Sequence, residues 1–138
     1  MASVSRAFVE TSPREGMSIG VLPSREGDPR SQPPSGYPNR WIEIAIHTHL
    51  PCRGADGMAL QSRNHINVLS AAVVIGLPGG AGTASELRLA RKYNRPCVVL
   101  DGDGSRWPTL PVDIPHVATV DDATAFVRQQ IGQSTVQC

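Results

Sequence analysis

Downstream of residue 57 the chain alternates stretches of helical spacing with short apolar runs. Met58 to Leu69 reads as a helix. Ala71 to Leu77 is a continuous apolar run closed by Pro78, as a strand covered by helices on both faces requires. Thr83 to Tyr93 then reads as a helix and Pro96 to Leu100 as a second buried strand. His116 to Val120 is a short last strand. Ala123 to Ile131 is a final helix, capped by Asp121 or Asp122 and ended by Gly132. Upstream, Ser3 to Thr11 has helical spacing through Val4, Ala7 and Phe8, and Ser12-Pro13 ends it. Ser18 to Leu22 reads as a strand that stops at Pro23. Trp41 to His47, rich in β-branched residues, reads as another. From residue 58 the order is α-β-α-β-β-α, so the expected fold class is α/β with a mostly parallel sheet.

The 12 prolines and 13 glycines mark the element boundaries. Pro29, Pro33, Pro34 and Pro38 make residues 24–40 a long loop. A chain of 138 residues fits a single domain, and 40% apolar with 18% charged residues suits a soluble globular protein. A net charge of +1 argues against a broad nucleic-acid surface. No apolar run approaches the roughly 18 residues of a membrane helix, and residues 1–6 lack the apolar core of a signal peptide. Cys52, Cys97 and Cys138 are odd in number, far apart and without metal-ligand spacing, which suits a reducing cytoplasm.

The candidate chemistry lies in Pro78-Gly79-Gly80-Ala81-Gly82-Thr83. In an open α/β sheet, ligands bind outside the carboxyl ends of the strands. Here a strand ends at Leu77 and a helix follows. Glycines let the backbone turn with positive φ and leave no Cβ in a ligand's way. The free N–H groups and positive dipole end of the helix favour a phosphate. A tight strand-to-helix connection that binds nothing would use the same residues. Thr83-Ala84-Ser85-Glu86 has the spacing of a capping box, which would account for Glu86 by structure alone; a carboxylate at the floor of a ligand pocket is the functional reading. Arg63, in the N-terminal half of the 58–69 helix, would lie toward the carboxyl edge and reach a phosphate or carboxylate with a forked pair of hydrogen bonds. A solvated surface arginine is the plainer account. Ser62 and Asn64 are polar company for a ligand.

The run Ser62-Arg63-Asn64-His65-Ile66-Asn67, continuing into Leu77-Pro78-Gly79-Gly80-Ala81-Gly82-Thr83-Ala84-Ser85-Glu86, resembles the LOG superfamily, once labelled "lysine decarboxylases", with its P-G-G-x-G-T-x-x-E signature. Gly20-Val21-Leu22-Pro23 and Pro38-Asn39 extend the likeness upstream. The R-N-x-I form resembles the molybdenum cofactor carrier branch more than the cytokinin-activating phosphoribohydrolases. Those show R-K-x-x-M and a second acid before the motif glutamate, where this chain has Ser85. The resemblance implies a Rossmann-like doubly wound domain. It also implies that Gly79, Gly80, Gly82 and Thr83, with Pro78 and Ala81, cradle a phosphate beside Arg63 and Asn64. In the carrier branch the cradle holds a phosphorylated pterin, so the molybdenum cofactor would be cargo. In the phosphoribohydrolases, residues matching Arg63 and Glu86 act on the ribose and its N-glycosidic bond. The family also forms dimers or larger oligomers, so a homo-oligomer is expected.

In that family the element matching residues 1–8 follows two strands, a helix and a second glycine-rich loop. The expectation is therefore a truncated domain over residues 1–138, lacking two central strands. Three readings result: a carrier of a phosphorylated nucleotide-like ligand, a nucleoside 5′-monophosphate phosphoribohydrolase, and an inactive remnant. His47-Thr48-His49 lacks a third metal ligand at a usual spacing, so no metal is expected. Residues 101–105 begin like a calcium loop, but Arg106 and Val112 stand where a glycine and the closing glutamate belong. Trp41 and Trp107 read as packing residues.

Overall fold

The computed structural model describes residues 2–25, 28, 32–101, 110, 111 and 113–134. Pro29, Arg106, Trp107, Val112, Cys138 and the loop positions after Asp101 up to 109 lie outside the described residues. The chain divides into two compact units. One comprises residues up to Cys52 with Gln61–Arg63; the other comprises Arg53–Leu60 and the chain from Asn64 onward.

The first unit contains helix α1 (Ala2–Glu10) and strands β1 (Ile19–Leu22) and β2 (Ile44–His47). The strands pair in parallel, Ile19 opposite Ile44 and Leu22 opposite His47. β2 starts later than the expected residue 41. The Asn39 side chain accepts from the Trp41 N–H, and Asn39 O accepts from the Ile42 N–H. This side-chain-supported turn takes the donors a strand would use. The Glu43 carboxylate accepts from both terminal nitrogens of Arg14 and from the Ser18 N–H. Arg14 foremost, then the Ser18 amide, hold its carboxyl below the ordinary glutamate range. Thr48 closes the ribbon by donating from Oγ1 to Leu22 O at 2.7 Å. Val21 and Leu22 are buried, while Ile19, Ile44 and Ile46 are exposed. The described residues of the 24–40 loop contain neither helix nor strand.

The second unit contains α2 (Asn64–Ser70), β3 (Val74–Gly76), α3 (Ala81–Lys92), β4 (Cys97–Leu100), β5 (His116–Val117) and α4 (Val120–Ser134). Its sheet has the order β3-β4-β5, all parallel, with Gly76 opposite Val99 and Val99 opposite His116. Cys97 and Val99 point into a core with Val68, Leu87, Leu89 and Ala90. Val98 points the opposite way and is fully buried too, and α4 packs against β4 and β5. Burial pushes the Cys97 thiol up from its ordinary pKa, against the opposing field of Arg91. Parallel strands clothed by helices make this the expected α/β, Rossmann-like fold. Among the described residues no helix is long and apolar enough to cross a membrane.

Several expectations need correction. The helix expected over residues 58–69 begins only at Asn64. Before it, Gly54–Asp56 forms a short 3-10 turn, and the Gly57 and Ala59 amides bond to Gly54 O and Asp56 O. The Cys52 N–H donates to Gln61 O, and Cys52 and Ser62 form an isolated bridge. These bonds occupy the groups an α-helix would need. β3 is an edge strand of its sheet and leaves Ile75 exposed, so it is not buried on both faces. β5 stops at Val117 because Thr119 caps α4. Thr119 Oγ1 accepts from the Asp122 N–H, the bond of a side-chain N-cap, and donates to Asp122 Oδ2. Neither Asp121 nor Asp122 is the cap, and α4 runs through Gly132 to Ser134.

Candidate functional site

The glycine turn joins β3 to α3 at the carboxyl end of the sheet in the second unit. Gly80 is the N-cap, with φ −99° and ψ −160°, and no side chain caps the helix. Ala84 N–H bonds back to Gly80 O. The amides of Ala81, Gly82 and Thr83 precede it and have no partner within the helix. The glycines do not serve by positive φ, as expected from their type; the positive-φ glycines among the described residues are Gly16, Gly36 and Gly54. They serve by lacking a side chain. A Cβ on Gly79 would lie 2.8 Å from Thr83 Oγ1, while one on Gly80 would meet nothing within 4 Å. The open space therefore lies over Gly80, in front of an uncapped helix end.

Thr83 does not cap α3, and the capping box expected at Thr83 to Glu86 is absent. The helix starts at Ala81, which puts Thr83 in its first turn and Glu86 in its second. Glu86 instead accepts through Oε1 from Asn67 Nδ2 at 3.0 Å, joining α3 to α2. Ser85 is buried, its hydroxyl 2.8 Å from Ala81 O and 3.2 Å from Gly54 O. Asn64 is buried as well, and Gly57 lies between it and Ser85: a Cβ there would be 2.5 Å from Asn64 Nδ2 and 2.7 Å from Ser85 Cβ. Pro78 and Ala81 are exposed on the turn. Asn64, Glu86 and the turn thus belong to one unit.

Arg63 belongs to the first unit and lies before α2 rather than within a helix. It donates from Nη1 to Val21 O at 2.8 Å, and its guanidinium sits 5.3 Å from the centre of the Tyr37 ring. Its Nε is buried without a hydrogen-bond partner. In the same unit His47 and His49 are exposed, on either side of buried Thr48. Trp41, half-buried, has the Arg40 guanidinium 4.6 Å from its ring centre.

Two pairs escaped the sequence reading. His65 Nε2 faces Ala59 O, which can only accept, so Nδ1 is left to accept from the Tyr93 hydroxyl at 2.7 Å. Asp101, directly after β4, faces His116 Nδ1 at 2.9 Å. Neither pair has a local spacing signal; each depends on which elements pack together. A cavity of about 270 Å³ opens at the amino edge of the same sheet, lined by Arg91, Arg95, Cys97 and Phe126 among others. Its arginines have partners: Arg91 pairs with Asp113, and Arg95 donates to Leu69 O. Among the described residues no group of three or more His, Cys, Asp or Glu could hold a metal ion.

No curated protein and no solved structure matches the chain. A family model matches residues 1–132, which include the glycine turn and every helix and strand up to α4. The α/β parallel sheet fits this family, whose superfamily is related to the LOG group that the signature resembles. On that match the chain belongs to the SLOG cluster4 family.

Proposed function

We propose that the chain binds a phosphorylated, nucleotide-like ligand at the Pro78–Thr83 turn and holds it without reacting it, in the manner of a molybdenum cofactor carrier. Membership of the SLOG family points to nucleotide-related binding or modification in general. The observation that carries the finer reading is the uncapped N-terminus of α3 behind Gly80, where a side chain would meet nothing. Orphan amides and a positive dipole end are what a phosphate needs. The rival reading, a phosphoribohydrolase acting through Arg63 and Glu86, gains less support. Each of those side chains already has a protein partner. A second acid at position 85 would also face the carbonyl oxygens of Ala81 and Gly54, with no donor between them. The free thiols of Cys52 and Cys97 fit the cytoplasmic location this reading assumes.

Inorganic phosphate and AMP should raise the melting temperature of the full chain. At a hundredfold excess over the dissociation constant, bound ligand stabilises by about 2.7 kcal/mol, or several degrees for a chain of this size. Gly80→Ala separates binding from folding. Gly80 has an ordinary φ and open space, so alanine should cost under about 1 kcal/mol. Its methyl would stand in the ligand's place and abolish the stabilisation. A wild-type melt unmoved by millimolar AMP and phosphate would refute the reading and favour the inactive remnant.

A homo-oligomer belongs to the same proposal. Parallel sheets are ordinarily covered on both faces, yet Ile19, Ile44 and Ile46 are exposed on the β1–β2 ribbon. Light scattering after size exclusion should give at least twice the 14.7 kDa chain mass. A sharp monomer with a cooperative melt would overturn this.

A further inference from the structure

The side chain of Asp101 is fully buried. Its Oδ2 pairs with His116 Nδ1, and its Oδ1 has no hydrogen-bond partner. A buried carboxylate oxygen without a donor is unfavourable, and in native proteins such an atom marks a missing partner. His116 Nδ1 carries the proton, since the carboxylate only accepts, so His116 fixes the carboxylate with Oδ1 turned away from it.

The register says what lies near that oxygen. Gly76 pairs with Val99, so β3 leaves its carboxyl end into the glycine turn beside the point where β4 reaches Asp101. Adjacent strands are about 4.8 Å apart. Asp101 lies two residues beyond Val99 and shares its face, the face on which Val99 packs with Leu87 of α3. The turn and the orphan oxygen thus share one edge of the sheet, and α3 covers the face to which Asp101 points. A phosphate at the start of α3 would bring the adjoining sugar over the end of β4. In dinucleotide-binding folds an acid at the end of the next strand accepts from a ribose hydroxyl.

We propose that Asp101, positioned by His116, accepts a hydrogen bond from a sugar hydroxyl of the ligand, so that the site selects ribonucleotides. This rests on the turn being the phosphate site. The test is calorimetric titration of the full chain with AMP, 2′,3′-dideoxy-AMP and inorganic phosphate. AMP should bind about 10- to 100-fold more tightly than the dideoxy analogue, as expected for a hydrogen bond to a buried charge. Asp101→Asn should shrink that ratio to a few-fold and leave phosphate binding unchanged. His116→Ala should shrink it too, and His116→Gln, whose amide can still donate, should restore most of it. Equal affinity of wild type for AMP and dideoxy-AMP, with phosphate still bound, would overturn this inference and leave the cradle standing. Binding of none of the three would overturn both. Should the variants fail to fold, the wild-type ratio decides alone.

Discussion

Gly76→Ala should destabilise the protein by about 1–3 kcal/mol and Leu87→Ala by about 2–5 kcal/mol, and the double variant should cost clearly less than their sum. A Cβ on Gly76 would lie 2.7 Å from Leu87 Cδ1, 3.1 Å from Cδ2 and 3.2 Å from Cγ. Leu87 is 0% exposed and has no room to retreat. Alanine at 76 therefore forces α3 away from β3 or drives the leucine off its rotamer. Truncating Leu87 alone leaves a cavity in a close-packed core. The two changes together let the new methyl occupy part of the vacated space, so the coupling should be about 1–2 kcal/mol and favourable. Urea unfolding of the four proteins, with slopes compared to confirm a common transition, measures it. Strict additivity would mean that α3 does not seat against Gly76 in solution.

The second large effect is expected at Gly57. Its added Cβ would stand 2.5 Å from Asn64 Nδ2, 2.7 Å from Ser85 Cβ and 2.9 Å from Ser85 Oγ. The first contact is with the tip of a buried amide, and the second is with an atom anchored directly to the helix backbone. Neither can yield cheaply, so Gly57→Ala should cost about 1–3 kcal/mol. Gly80→Ala, measured beside it, should shift the unfolding midpoint far less. Because Ser85 also reaches Ala81 O in the first turn of α3, the strain at Gly57 should reach the helix end and weaken the phosphate binding proposed there. A Gly57→Ala protein as stable as wild type would show that the 3-10 turn does not pack on α3 as described.

The parts of the fold that were legible in the sequence are those governed by local composition. β4 is buried on both faces, and its apolar run announces this. α1 and α3 announce themselves by helical spacing. The errors arose where long-range bonds overrode local pattern. Residues 58–63 carry a helical pattern, but their backbone is held by the 3-10 turn and the Cys52–Ser62 bridge. The same Thr-x-x-acid spacing occurs at Thr83 and at Thr119, and only the second threonine caps its helix. At the first, the glycine turn lets α3 begin at Ala81 and carries Thr83 past the cap. The turn itself was legible because Pro78 and its glycines stand together in sequence, between an apolar run and a helical stretch. Asp101 and His116 were not, because they meet only through the parallel register of β4 and β5.

The burial pattern of the two units has a consequence for how the chain opens. Among the described residues, the first unit buries few apolar side chains, Val21 and Leu22 with the prolines Pro23 and Pro34, and most of the buried apolar set belongs to the second. Opening free energy follows such burial. Backbone amides of β1 should therefore exchange with deuterium through a low-energy, local opening. Those of β4 should exchange only when the second unit unfolds. An optical melt and an exchange experiment on Val21 should then return different free energies, each correct for the event it reports.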